Sequence, residues 1–232
     1  MKPTRRWAAL AVAGLVAALG SPAVGSLTLA RADDATVRTG EAIVAHGVSP
    51  ERPGCAACHM QDGAGQPEVG IPRLAGLTGP YIAAQLEAFA TGARRNAAMS
   101  PYAAMLTPAQ RQAVTDYIAR LPVPPQADPL PVPARQRNHG RTLFLDGDYR
   151  TGLLACAQCH GQTGLGVGAF SPRLAGQSAA YVAEQLRAWH ANRPRDAQDA
   201  FMRSVAGRLT PSDIEDVAAF VASLGEKESG TP

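Results

Sequence analysis

Aromatic side chains are scarce in this chain of 232 residues, where phenylalanine, tyrosine and tryptophan together make up 5% of the sequence. Cysteine is scarcer still, with four copies in the whole chain. Hydrophobic residues nevertheless account for 46% of the sequence, which is enough for one or two small domains. The low aromatic content indicates that something other than large side chains fills part of each core.

A long membrane-spanning run is also missing near the N-terminus. The apolar stretch at residues 7–19 is short for a transmembrane helix, which takes about 20 residues. It follows a short basic stretch and leads to the small-residue cleavage site Ala30-Arg31-Ala32, an order typical of a secretory signal. We predict that residues 1–32 are a signal peptide cleaved after about Ala32, so that the mature protein is periplasmic. Membrane association would then occur only through partners, or through the same segment retained as an uncleaved anchor.

The excess of positive charge lies in that same segment. Residues 1–32 hold four basic and no acidic side chains, so their removal leaves 18 basic against 19 acidic residues. The formal net charge of +3 for the whole chain therefore disappears in the mature protein. A nearly neutral protein gives no reason to expect nucleic acid as a partner.

All four cysteines fall in two copies of one motif, Cys-x-x-Cys-His, at residues 55–59 and 156–160. Two thiols three residues apart on one helical turn can both reach the vinyl groups of a haem, and the next residue presents an imidazole to the iron. This spacing is the attachment signature of c-type haem. We predict two covalently bound haem c groups, which would fill the cores. The attachment residues are Cys55, Cys58, Cys156 and Cys159, and the proximal iron ligands are His59 and His160.

Three other uses of paired cysteines explain the motifs less well. The two pairs stand too far apart for a compact zinc site, and four thiolates around zinc need no histidine after each pair. A thioredoxin-like redox pair needs a βαβ context, whereas the alternation of apolar residues typical of strands is missing around both motifs. Structural disulfides, which an exported protein can form, would leave both histidines unexplained.

The second half of the sequence repeats the first at an offset of about 100 residues. The sequence Pro-Arg-Leu-Ala-Gly occurs at residues 72–76 and again at 172–176, and Tyr81 matches Tyr181. Between the copies, residues 122–133 contain six prolines, so this stretch can form neither a helix nor a central strand. The predicted domains are an N-terminal domain at 33–121, a proline-rich linker at 122–134 and a C-terminal domain at 135–232.

Each copy has the pattern of a helical domain. Thr107 is predicted to cap a helix that begins at Pro108, with Gln110 completing a capping box, and Thr210 and Asp213 repeat this arrangement. Residues 81–89 and 181–189 predict a further helix pair, and the glycine-rich stretch 161–168 is interpreted as a loop around haem. We therefore predict an all-α fold of two tandem domains. The apolar stripes of the capped helices are Val114, Tyr117, Ile118 and Leu121 in the first copy and Val217, Phe220, Val221 and Leu224 in the second.

The residue opposite each proximal histidine decides between a carrier and an enzyme. A candidate must lie well downstream, on a loop that can fold over the far side of the haem, and must occur in both copies. Met99 and Met202 meet these conditions and are the predicted distal ligands. Met105 is matched by Arg208 in the second copy, and Met60 adjoins the proximal histidine and cannot reach the opposite face.

The porphyrin fills four coordination positions of each iron, and histidine and methionine fill the two axial ones. Neither oxygen nor peroxide then finds an open site, and the thioether raises the reduction potential. We therefore predict an electron carrier without catalytic residues. Pro72 and Pro172 are predicted to support the proximal side, because a backbone carbonyl there can accept the Nδ1–H of the ligand histidine. The other histidines, for which we expect surface or core roles, are His46, His139 and His190.

The two attachment motifs, each followed by Pro-Arg-Leu-Ala-Gly, a Tyr-x3-Gln-Leu helix, a single methionine and a Leu-Thr helix start, resemble the dihaem cytochromes c4 over residues 35–225. The resemblance implies two class I cytochrome c domains related by a pseudo-twofold axis, with haem propionates facing each other across the interface. It also implies a periplasmic carrier between a quinol-oxidising complex and a terminal oxidase. The sequence departs from the family pattern at Leu77, where the second copy has Gln177, and in its longer second ligand loop.

Two other functions stay open at this point. Dihaem electron-accepting subunits of periplasmic dehydrogenases, such as flavoprotein complexes that oxidise sulfur compounds, resemble the same family. A dihaem peroxidase would require one iron that can open to substrate, which the matched methionines argue against.

Overall fold

The computed structural model describes residues 33–125, 132–191 and 199–225. The predicted signal peptide and the middle of the predicted linker, residues 126–131, lie outside the described residues. In the described ranges the chain forms ten α-helices and no strand longer than an isolated bridge, which confirms the predicted all-α class. None of these helices has the length and hydropathy needed to cross a membrane.

The helices fall into two sets of five that follow the same order. The first set, here called the N-terminal lobe, is α1 (Asp34–His46), α2 (Ala56–His59), α3 (Gly79–Thr91), α4 (Met99–Met105) and α5 (Pro108–Ile118). The second set, the C-terminal lobe, is α6 (Ala134–Leu145), α7 (Ala157–His160), α8 (Ala179–His190), α9 (Asp199–Ala206) and α10 (Pro211–Ser223).

The predicted capping boxes are confirmed at α5 and α10. The hydroxyl of Thr107 accepts the backbone N–H of Gln110 at 3.2 Å, and the Gln110 side chain accepts the N–H of Thr107 at 2.9 Å. Thr210 and Asp213 form the same two bonds at 3.2 and 2.9 Å. Each box satisfies two backbone donors that the start of a helix otherwise leaves unpaired.

Each lobe is closed by its first helix crossing its last, α1 against α5 and α6 against α10. Glycines permit this close approach. A Cβ atom added at Gly40 would overlap the carbonyl oxygen of Ala113, and one at Gly140 would overlap that of Asp216. Gly40 and Gly140 stand at matching positions of the repeat, 100 residues apart, and each marks the point where two helix backbones touch.

The predicted apolar stripes face the two cores. Val114 and Ile118 are buried in the N-terminal core, while Tyr117 and Leu121 pack at its edge. All four stripe residues of α10 are buried in the C-terminal core. The two lobes form one compact unit, in which α8 packs against a short 3₁₀ turn, Pro67–Val69, of the N-terminal lobe.

Candidate haem-binding centre

A continuous cavity of about 1260 Å³ reaches into both lobes and gathers residues that are far apart in the sequence. This volume exceeds the roughly 300–1,000 Å³ of a pocket for one small ligand, as two large prosthetic groups require. The predicted attachment and ligand residues on its wall are Cys55, Cys58, His59 and Met99 in the N-terminal lobe, and Cys156, Cys159, His160 and Met202 in the C-terminal lobe.

Each attachment motif forms a single helical turn. The N–H of His59 donates to the carbonyl of Cys55 at 2.8 Å, and that of His160 donates to Cys156 at 2.9 Å. The chain leaves the first turn at Met60, which has a positive φ of 65° and an exposed side chain. Met60 is not on the cavity wall, in agreement with its exclusion as a ligand.

The proximal imidazoles are buried and held by backbone carbonyls. The Nδ1 atom of His59 lies 2.9 Å from the carbonyl oxygen of Pro72, and that of His160 lies 2.9 Å from Pro172. Burial lowers the pKa of both imidazoles below the ordinary histidine value, against the opposite effect of these hydrogen bonds. The rings are therefore neutral at pH 7, and with Nδ1–H donated to the carbonyl, Nε2 keeps a lone pair for a metal ion.

The cysteine thiols lack the features of a redox pair or of a zinc site. Burial raises the pKa of Cys156 to about 11 and also raises the pKa of Cys55. A redox-active Cys-x-x-Cys pair instead needs a lowered thiol pKa. Within the described ranges no disulfide joins these cysteines, and no three His, Cys, Asp or Glu side chains converge as metal ligands.

The two candidate distal methionines lie in helices, so the predicted loop location is wrong for both. Met99 is the first residue of α4, and Met202 lies within α9. The cause at Met99 is local: the side chain of Asn96 accepts the N–H groups of Ala98 and Met99 at 3.0 and 2.9 Å and starts the helix. Met105, at the end of α4, is 36% exposed and does not line the large cavity.

The other histidines lie away from the cavity wall. His46 is exposed at the end of α1. The Nδ1 atom of His139 lies 2.8 Å from a carboxylate oxygen of Asp216, and that of His190 lies 3.0 Å from the carbonyl oxygen of Ala206. All three histidines are exposed, which agrees with the surface alternative of the surface or core roles expected for them.

The rest of the wall is mainly apolar, with a few positive charges. Arg73, Arg94 and Arg173 line the cavity. An apolar wall fits a porphyrin ring, and guanidinium groups complement the two carboxylates that each haem carries. The helices α3 and α8 supply matched apolar residues to it, which are Tyr81, Leu86 and Phe89 from α3 and Tyr181, Leu186 and Trp189 from α8.

Arg94 joins the lobes and escaped the sequence analysis. Although only 7% exposed, it donates to Gln85 of its own lobe at 2.5 Å, and to Gln185 and the hydroxyl of Tyr181 at 2.9 and 3.0 Å. Its guanidinium also lies over the ring of Phe89. One arginine thus bridges the two glutamines that occupy equivalent repeat positions. Arg95 follows it directly, and two adjacent arginines are typical of a solvated loop. Nothing in the sequence therefore marked Arg94 as a buried residue that joins the lobes.

A second cross-lobe contact involves the position where the two copies differ. The Gln177 side chain accepts the backbone N–H of Arg73 at 3.0 Å and donates to the Arg73 carbonyl at 3.1 Å. Gln177 and Arg73 are 6% and 7% exposed. Leu77, which replaces glutamine in the first copy, has no polar atom to form the reciprocal pair.

Comparison with known proteins agrees with this geometry. A family model described as cytochrome c matches residues 39–122 and 138–225. The chain is 42% identical over 175 residues to the thiosulfate dehydrogenase electron acceptor of Thiomonas intermedia (strain K12), covering 75% of this chain and 80% of the relative. It is 34% identical over 210 residues to the protein of the same name from Stutzerimonas stutzeri (strain A1501), covering 90% and 97%.

Two solved structures are also similar. Thiosulfate dehydrogenase (TsdBA) from Marichromatium purpuratum superposes with a TM-score of 0.73 at 38% identity over 80% of this chain, which spans 40% of the length of that longer chain. Reduced cytochrome c4 from Pseudomonas stutzeri superposes with a TM-score of 0.69 at 28% identity, covering 81% of this chain and 97% of the other. The chain therefore carries two covalent haem c groups and belongs to the cytochrome c family, as a dihaem electron carrier of the cytochrome c4 type.

Proposed function

We propose that this protein is a periplasmic carrier that accepts electrons from a thiosulfate-oxidising dehydrogenase and passes them to a respiratory acceptor. The observation that carries the proposal is that both attachment motifs and both candidate methionines line one continuous cavity. The choice of donor is supported by the two relatives named as thiosulfate dehydrogenase electron acceptors. The signal predicted at residues 1–32 supports the periplasmic location.

The proposed ligand sets are His59 with Met99 and His160 with Met202. The neutral imidazoles, fixed by the carbonyls of Pro72 and Pro172, and the placement of both thioethers on the cavity wall support them. Bound in this way, each haem supplies a one-electron couple. The chain's own task is to hold the rings, cover the apolar faces and occupy both axial positions, so that reactants have no site to bind.

The stoichiometry suits this donor. Joining two thiosulfate ions into one tetrathionate through a new sulfur–sulfur bond releases two electrons, one for each haem. The buried contacts of Arg94 and Gln177 support an arrangement in which both lobes act as one electron-accepting unit. The domains proposed to bind the two haems are residues 33–121 and 135–232, joined by the linker at 122–134.

A second candidate function is favoured by the similarity to cytochrome c4, of which this chain covers 97%. In that case the donor is a quinol-oxidising complex and the acceptor a terminal oxidase. Both functions use the same ligands and differ only in the electron donor.

Rapid mixing of the oxidised holoprotein with each donor separates the candidates. We expect a thiosulfate dehydrogenase from the same organism, supplied with thiosulfate, to reduce both haems at two electrons per chain, while thiosulfate without the dehydrogenase does not. Fast reduction by a quinol-oxidising complex, together with no reduction by the dehydrogenase, would replace the proposed donor with the second candidate.

A further inference from the structure

One peptide group in the N-terminal lobe is hydrogen-bonded at both ends. The carbonyl of Pro72 lies 2.9 Å from Nδ1 of His59, and the N–H of the same peptide group, that of Arg73, donates to Oε1 of Gln177 at 3.0 Å. A continuous hydrogen-bond chain therefore runs from a side chain of the C-terminal lobe to the proximal imidazole of the N-terminal lobe.

The orientation of the Gln177 amide is fixed by its neighbours. Its Oε1 accepts the N–H of Ser178 at 3.2 Å as well as that of Arg73, and its Nε2 donates to the Arg73 carbonyl. Backbone N–H groups can only donate, so the atom that they share must be the oxygen. Gln177 and His59 are each 6% exposed, and a hydrogen bond is stronger in such a water-poor setting.

We propose that Gln177 is a positioning residue for the first haem, which acts through the Pro72–Arg73 peptide group to set the electron-donating strength of His59. A peptide carbonyl whose own N–H is hydrogen-bonded is a stronger acceptor, because linked hydrogen bonds polarise one another. A stronger bond at Nδ1–H makes the imidazole a more basic ligand, which favours ferric iron and lowers the reduction potential. The inference holds for either electron donor and rests only on His59 as an axial ligand.

Gln177 acts on only one of the two haems because the two copies of the repeat have different residues at this position. The residue that matches Gln177 is Leu77, whose alkyl side chain has no atom able to accept the N–H of Arg173. The C-terminal lobe therefore contributes to the proximal side of the N-terminal haem through Gln177, and Leu77 cannot form the equivalent hydrogen bond in return. The two proposed haem sites, although they have the same pair of ligands, thus differ in the hydrogen bonding behind the proximal histidine.

Replacement of Gln177 by leucine tests this in the purified holoprotein without any redox partner. Because leucine occupies the matching position of the first copy, the Q177L variant keeps a side chain of similar size. We expect the reduction potential of the first haem to rise and that of the second to stay at the wild-type value, with the haem NMR signals assigned to each lobe. The ring N–H resonance of His59 should move upfield while that of His160 stays in place.

The matched control is Q185L, which removes a different cross-lobe bond, from Arg94, and does not touch the Pro72–Arg73 peptide group. Q185L should leave the ring N–H resonance of His59 at its wild-type position. The proposal is overturned if Q177L leaves both the His59 ring N–H resonance and the reduction potential of the first haem unchanged, or if it shifts the potentials of both haems equally. It is also overturned if Q185L moves the His59 resonance as far as Q177L does. Should Q177L yield no folded holoprotein, Q177M keeps the side-chain length without the amide, and the same outcomes apply to it.

Discussion

The side chains that we propose to hold the two haems differ in their surroundings. His59 and His160 are kept neutral by burial and oriented by the carbonyls of Pro72 and Pro172. Burial raises the pKa of the Cys55 and Cys156 thiols, which makes them less acidic than an ordinary cysteine and not reactive thiolates. What distinguishes a carrier from an enzyme is then the residue on the far side of each haem, for which we propose Met99 and Met202.

Replacing Met99 by alanine tests the distal assignment. Because a thioether ligand favours ferrous iron, the M99A variant should have a lower potential at the first haem and should bind an added ligand such as imidazole or cyanide there. The absorption band that marks thioether bonding to ferric iron should fall to about half of its wild-type intensity, because one of the two haems loses its methionine.

Met105 provides the matched control, since it lies on the same helix and is exposed outside the large cavity. The M105A variant should keep the full band and both potentials. Loss of the band in M105A but not in M99A would show that the first-lobe ligand has been wrongly assigned.

At the level of secondary structure, the crossing of the first and last helix in each lobe organises the wall behind the haem. The contacts of α1 with α5 and of α6 with α10 depend on Gly40 and Gly140, where the backbones approach too closely for a side chain. The capping boxes at Thr107 and Thr210 fix where α5 and α10 begin, and so fix which residues face the core.

A single methyl group added where α1 crosses α5 should therefore lower the stability of the N-terminal lobe. We expect G40A to lower the free energy of unfolding of the N-terminal lobe by about 1–3 kcal/mol or more, because the new Cβ overlaps backbone atoms that cannot move aside. The measurement is denaturant unfolding of the holoprotein followed by helical circular dichroism.

Gly79 offers the control for that prediction. A Cβ at this position would lie 3.7 Å from its nearest neighbours, which is an ordinary contact. The G79A variant should stay within about 0.5 kcal/mol of wild type. Equal losses of stability in G40A and G79A would contradict the steric account.

The whole molecule is a duplicated haem domain whose copies are no longer equivalent. Arg94 bridges the matched glutamines Gln85 and Gln185, while Gln177 hydrogen-bonds the backbone of Arg73 and Leu77 has no polar atom for the reciprocal bond. The shared cavity brings both proposed centres into one body, which suits the proposed role of accepting two electrons from one dehydrogenase.

Local sequence patterns predict the haem attachment motifs and the helix starts, whereas the contacts between the lobes could not be predicted. The motif at Cys55–His59 and the caps at Thr107 and Thr210 depend on neighbouring residues, so their spacing in the sequence was sufficient. The helical position of Met99 was missed, although Asn96 is a typical cap residue three positions earlier. The contact of Gln177 with Arg73 joins residues 104 apart, and it depends on lobe packing that no periodicity encodes.

The most direct test of the account is the coordination state of both irons in the resting, oxidised holoprotein. Electron paramagnetic resonance combined with near-infrared magnetic circular dichroism reports spin state and axial ligands for each haem. We predict two low-spin centres, each with one imidazole and one thioether ligand. A high-spin signal, or a water molecule in place of the thioether at either iron, would contradict the claim that the protein exchanges electrons and does not bind reactants.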